Sequence, residues 1–126
     1  MAGLSTLLVK GFKAEAAITK RRIVKFGASD TGALPSAAAA DLHVGVSSDI
    51  DAALGENCDV TLSGIGEVEF GGVVTRGQKL TSDAVGRAIA AAPAAGVNAH
   101  VVGVAMVSAV LGDIGPVLVQ PSVMQG

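Results

Sequence analysis

Val60-Thr61-Leu62-Ser63-Gly64-Ile65-Gly66-Glu67-Val68-Glu69-Phe70 is the stretch that decides the fold. Val60-Thr61-Leu62, then Ile65 and Glu67-Val68-Glu69-Phe70, alternate apolar and polar side chains. A period of two marks a half-exposed strand. Gly64 and Gly66 inside the run predict a bulge or a close backbone approach. Gly71-Gly72 ends it.

Upstream, Asn57 to Leu62 opens the same strand and carries Cys58. Ile23-Val24-Lys25-Phe26 is strand-like and stops at Gly27. Residues 27–36 hold Gly, Ser, Asp, Thr and Pro, the composition of a turn. Ala37 to Ala40 reads as one helical turn that nothing extends, and Leu42 to Val46 returns to strand. Ser47-Ser48-Asp49 before Ile50 to Leu54 resembles an N-capped short helix or a turn, ending at Gly55. Residues 1–9 read as an arm, and Lys10 to Ile18 as a short strand or a link.

Downstream, Val73-Val74 leads into the turn Thr75-Arg76-Gly77-Gln78. The alanines of 80–92 favour a helix, but Gly86 and the β-branched Thr81, Val85 and Ile89 argue for strand–turn–strand. Val97 to Val110, broken by Gly103, reads as a buried strand. Val117-Leu118-Val119 is the last strand, with Pro121 blocking its extension into a sheet interior and a loose tail to Gly126. Short strands at roughly 8–12-residue spacing predict an all-β fold. The expected form is a compact sandwich or barrel with short helical turns. Residues 1–13 form an extended N-terminal arm and residues 14–126 a single β-rich domain.

Two segments echo each other. Ile18-Thr19-Lys20 recurs as Val74-Thr75-Arg76. Ser29-Asp30-Thr31-Gly32 has its counterpart in Ser82-Asp83-Ala84-Val85-Gly86, and each is followed by an Ala/Pro stretch. Each segment closes on a His-led strand, His43-Val44-Gly45-Val46 and His100-Val101-Val102-Gly103-Val104. With small gaps, 18–46 and 74–104 align as an internal duplication. Half-units of this size are expected to bury a core only by packing together.

Composition narrows function. The 126 residues fit one domain. Half are hydrophobic yet only 2% are aromatic, with no Trp and no Tyr. Small side chains bury little area each, so stability is expected to lean on neighbours. The lack of Trp and Tyr argues against hot-spot capture of ligands and against stacking platforms for single-stranded nucleic acid. One cysteine, Cys58, excludes an intramolecular disulfide and reads as a buried structural thiol. No window is long and apolar enough for a membrane helix, and no signal architecture opens the chain. Synthesis as a soluble intracellular product is the expectation. Residues 1–29 carry six basic groups and one acid, and the rest three basic and ten acidic. This asymmetry fits a basic edge meeting an acidic partner or subunit, or charges that keep strand edges soluble.

No catalytic set assembles. His43 and His100 sit at equivalent strand starts, and with Asp41 they offer a weak metal reading beside ordinary hydrogen-bonding roles. Glu67 and Glu69 share one strand face, which reads as a solvated face. The glycine pairs lack the Gly-Lys-Ser/Thr of a phosphate loop. No enzyme activity, cofactor or metal is expected.

Several motifs together resemble the capsid decoration (cement) proteins of tailed bacteriophages, a small family encoded beside major capsid genes. Gly55-Glu56 precedes the Val-x-Leu-x-Gly-Ile-x-Glu-Val strand at Val60 to Val68. An Ile-x-x-Gly-x-x-Leu-x-Ser-Asp-x-x-Gly-Arg-Ala block matches Val74 to Ala88, and a Gly-x-Ala close matches Gly103-Val104-Ala105. The likeness runs from residue 14 to about 120. The chain departs from the pattern at 111–116, where Gly112-Asp113-Ile114-Gly115-Pro116 precedes the last strand.

The resemblance implies a structural virion protein, made in the host bacterial cytoplasm. It would bind the outer surface of the expanded capsid and cement neighbouring major capsid protein subunits. A homotrimer is the expected assembly, with a dimer as runner-up, and no direct nucleic-acid recognition. It assigns capsid contact to Leu4, Leu7, Leu8, Lys10, Phe12 and Lys13 of the arm, by strand addition, and to Lys20, Arg21 and Arg22. The alternative is a small β-domain that binds a carbohydrate or protein ligand without catalysis.

Overall fold

The computed structural model describes residues 7–126. Among them there is no helix, and nine strands carry the fold. They are β1 (Leu8–Ala14), β2 (Ile23–Phe26), β3 (Gly32–Pro35), β4 (His43–Ser47) and β5 (Asn57–Glu69), followed by β6 (Lys79–Ser82), β7 (Ala88–Ala90), β8 (Asn98–Ala105) and β9 (Ile114–Gln125).

Strand order is β1-β3-β2-β4-β5-β9-β8-β6-β7, and β1 also pairs with β5. That extra pairing, Lys13 opposite Asn57 through Leu8 opposite Ser63, closes the first five strands into a barrel. From Gly64 onward β5 pairs with β9 instead. A parallel bridge between Phe70 and Ala88 brings β7 back to the end of β5, so the second half forms a like ring. Each half has a core. Phe12, Ile18, Val24, Val44, Cys58 and Val60 fill the first. Val68, Phe70, Val74, Leu80, Val102 and Val117 fill the second, together with Ile23 and Val46 from the first half.

The duplication is visible bond by bond. The pair Ile18–Ala52 repeats as Val74–Ala109, each joined by two backbone hydrogen bonds. The Gly55 N–H donates to Ala14 O as the Gly112 N–H does to Phe70 O. Both glycines have positive φ, 86° and 89°. β2 sits between β3 and β4 as β6 sits between β7 and β8. The structural repeat is therefore longer than the 18–46 and 74–104 echo. The half-units also differ from expectation in burying a core each, because ring closure lets narrow barrels fill with Val and Ala.

The long strand at 57–69, strand–turn–strand over 79–90 and the strand from 98 agree with the sequence reading. Elsewhere the structure refines it: Gly32–Pro35, within the stretch read as a turn, is β3, and the strand from 98 stops at Ala105, short of Val110. Residues 37–40 are a bend and turn rather than helix, because the Asp41 carboxylate accepts the Ala37 and Ala38 N–H groups. Residues 50–54 take the turn alternative, with Ala52 bridged to Ile18. Pro121 lies inside β9, where pairing with β8 jumps from Val101–Ser122 to Gly103–Val119. This bulge spares the ladder the N–H that proline lacks. The tail is tied down, since the Gly126 N–H donates to Val97 O. Residues 8–13 of the expected arm lie in the sheet as part of β1, and residues 1–6 fall outside the described residues.

Gly45 and Gly103 occupy matching places. A Cβ on either would collide with a backbone carbonyl of the facing strand, Thr61 O or Leu118 O. Gly45→Ala and Gly103→Ala should each cost about 1–3 kcal/mol. Gly66→Ala, whose Cβ meets Val119 at an ordinary 3.6 Å, should be near neutral. Urea denaturation of the three variants checks this.

Candidate contact surface

The sequence-assigned contact residues fall into two groups in space. Leu8 and Val9 on β1, and Leu7 just before it, are about half exposed. Lys10 Nζ stands 4.4 Å from the Phe12 ring centroid, while Phe12 itself is buried in the first core. Phe12 is thus a packing residue, and Lys10 lies over its ring. β3 pairs with β1 only at Lys13 and Ala14. Among the described residues the edge of β1 opposite β5 has no partner ahead of Lys13. Leu4 lies outside the described residues.

The second group starts at the exposed Lys20 and runs into Arg21 and Arg22, which lie where the two barrels meet. Arg22 Nη2 reaches Glu69 Oε1 at 3.3 Å, and its Nη1 donates to Val85 O at 2.9 Å. Arg21 Nε stands 3.9 Å from Glu67 Oε1. Lys25 pairs with Asp41 at 3.4 Å. The basic N-terminal quarter therefore meets the acidic remainder inside the chain, an outcome the charge count left out. Glu67 and Glu69, read as a solvated face, are partners in this seam. Lys20 remains exposed, its N–H held by Asp51 Oδ1 at 2.8 Å.

Arg21 is the one non-glycine residue with positive φ among those described, at 55°. Its counterpart in the second half is Gly77, at 94°. Left-handed backbone costs a side-chain-bearing residue about 1–2 kcal/mol. Arg21 is clamped there by donating to Ser48 O and accepting from the Glu69 N–H.

Two shallow grooves adjoin these groups. One, of about 330 Å³, brings Leu7 and Arg21 together with Ile65 and Glu67. The other, of about 410 Å³, is mainly apolar and sets Lys10 and Phe12 beside Phe26, Leu62 and Pro121. Phe26, 58% exposed, was not singled out from sequence, where its strand was noted but not its outward face. Also unforeseen are the exposed Leu54 and Leu111. The repeated Leu-Gly-acid pattern of Leu54-Gly55-Glu56 and Leu111-Gly112-Asp113 was the signal that pointed to them.

The histidines hold no metal-like arrangement. Among the described residues no group of three or more His, Cys, Asp or Glu is placed to hold an ion. His43 is buried, with Nδ1 2.9 Å from Ser36 Oγ and Nε2 3.3 Å from Thr81 Oγ1 of the other half. Burial pushes its pKa down to about 4 from 6.5, with Asp41 opposing the shift and His100 and Lys25 adding to it. Burial likewise raises the Cys58 thiol, which keeps it protonated and inert. Among the described residues no helix is long and apolar enough to cross a membrane.

Two five-stranded rings that share β5 carry exposed apolar side chains on both halves of the chain. Residues 7–119 match the phage cement protein family, and the chain belongs to that family. It is thereby a structural protein associated with the phage capsid. The fold is similar to the crystal structure of the head fiber gp8.5 N base of bacteriophage phi29. The TM-score is 0.62 at 17% identity, covering 91% of this chain and 95% of that one. No curated protein matches the chain.

Two outcomes test the site description. Arg21→Gly relieves the left-handed strain and loses a long ion pair, 3.9 Å and open to solvent on its Glu67 side, worth about 0–1 kcal/mol. Thermal unfolding should show stability unchanged or raised by up to about 1 kcal/mol. His43 is charged in the unfolded chain below pH 6.5 but stays neutral when folded down to about 4. Its contribution is whole above pH 6.5 and is lost as pH falls through that window. The stability difference between His43→Gln and the native protein should shrink from pH 7 to pH 4 in denaturation curves.

Proposed function

We propose that the protein binds the outer surface of the expanded capsid and cements neighbouring major capsid protein subunits, as a homotrimer. Membership of the cement family over residues 7–119 carries this reading. The surface supports it. Exposed apolar side chains are spread over both barrels, at Leu8, Phe26, Ile50, Leu54, Val73, Leu111 and Val123. Spread contacts without Trp or Tyr suit a lattice, where avidity across several weak sites replaces one strong hot spot.

Strand addition is the role we assign to the open edge of β1, with Leu7, Leu8 and Lys10 flanking it. Lys10, Lys13 and Lys20 have no ion pair among the described residues and are free to meet acidic capsid groups, at about 0–1 kcal/mol each. Arg21 and Arg22 contribute through the seam that positions this face. The apolar groove beside Phe26 favours the second reading, a ligand-binding module. Phe26 is the one aromatic ring it exposes.

Mixing the protein with expanded capsids that lack it, then pelleting the shells, tests the proposal. Saturable co-sedimentation at a fixed copy number per capsid is expected. A folded protein that stays in the supernatant would refute it.

A further inference from the structure

The two halves diverge at the seam but agree at one exposed element. In the first half Gly55 turns the chain so that Leu54 stands 71% exposed, and in the second Gly112 does the same for Leu111, 62% exposed. Both turns are fixed rather than loose. The Ala53 N–H donates to Glu56 Oε1 at 2.7 Å and the Val110 N–H to Asp113 Oδ2 at 3.0 Å. Each turn is also anchored to its barrel by the Gly55–Ala14 and Gly112–Phe70 hydrogen bonds. A cation accompanies each. The Lys20 N–H is held by Asp51 Oδ1 and the Arg76 N–H by Ser108 Oγ at 3.1 Å, next to the Ile18–Ala52 and Val74–Ala109 bridges that carry the turns. A further exposed apolar residue precedes each turn, Ile50 and Met106.

A leucine held out on a capped, doubly bonded turn contributes nothing to either core, and it costs apolar exposure. The two turns also sit at opposite ends of β5. One abuts Asn57 and the other Glu69, a contour of about 40 Å at roughly 3.3 Å per residue.

We propose that the Leu54 and Leu111 turns are two copies of one docking element, and that they seat on two copies of the same coat-protein subunit, each offering a leucine-sized apolar recess. This rests on the capsid reading above and gives it a geometry: one chain spans two like subunits. Like elements call for like sockets, and a lattice of identical subunits supplies them. Seating on further copies of this chain would instead make a head-to-tail contact that closes a ring or runs on as a filament, and either outcome changes the oligomer size in the absence of capsids.

Binding isotherms on expanded capsids lacking the protein test it, with the native chain, Leu54→Asp, Leu111→Asp and the double variant. Leu54→Ser and Leu111→Ser serve as milder versions should an aspartate shift the melting curve. Each single variant should bind about 100-fold more weakly as avidity is lost, and the double variant should not bind. Single variants that bind like the native chain, while the native chain binds, would overturn this inference alone. One variant abolishing binding and the other leaving it intact would overturn the equivalence. A change in oligomer size without capsids would assign the turns to self-contact and overturn the partner. A native chain that fails to bind removes both readings.

Discussion

One strand serves two barrels, and the rest of the molecule follows from it. β5 gives its first half to β1 and β4 and its second to β9. Cys58 and Val60 point into the first core, Val68 and Phe70 into the second. A one-residue slip of β5 would turn both sets outward at once, so two cores lock one register. The change of partner falls where Leu62 is the extra residue against β1 and Gly64 takes a φ of 102°. A side chain other than glycine would be strained at that crossing. Ring closure also explains how a chain so poor in large side chains buries anything. Five-stranded rings are narrow, and valine and alanine suffice to fill them.

Sharing a strand forces the two halves to differ where they touch. Each half has one face toward the other, and these faces are not the same face. Arg21 and Arg22 lie at this seam, but their counterparts Gly77 and Gln78 do not bind a carboxylate. His43 reaches across to Thr81, and the Gly86 carbonyl accepts the Ile23 N–H. Burying part of an arginine beside a glutamate and a carbonyl adds little net stability, but it discriminates strongly against sliding one barrel over the other. Away from the seam no such pressure separates the halves, and there the repeat persists in Lys20 and Arg76 and in the two leucine turns.

The strands were legible because their signal is local. Alternation at 60–70, glycine punctuation and β-branching at 81–89 override the alanines and give the right elements. The duplication was legible in its middle, since Ile18-Thr19-Lys20 and Val74-Thr75-Arg76 retain their wording. Its ends were hidden because one strand, β5, closes the first copy and opens the second, and no alignment of two separate segments contains a shared one. Proline at 121 misled for a similar reason. Whether a missing N–H matters depends on the bulge across the ladder, which is set by β8 and not by the residues beside Pro121. Of the surface, Lys10, Lys13 and Lys20 were readable as charge, but Phe12 turned inward on strand parity, and Arg21 and Arg22 were claimed by Glu67 and Glu69 from far along the chain.

Large exposed apolar side chains among the described residues come from both halves of the chain, at Leu8, Phe26, Leu54, Val73, Leu111 and Val123. A single apolar tip gains too little on contact to outweigh the entropy of association. The same tips become effective together once several sockets are held at fixed spacing, since the first contact raises the local concentration of the next. A rigid scaffold is the condition for that gain, as tips on a flexible chain would lose it to disorder. The shared strand supplies that rigidity: it fixes both barrels, and with them every tip, in one frame.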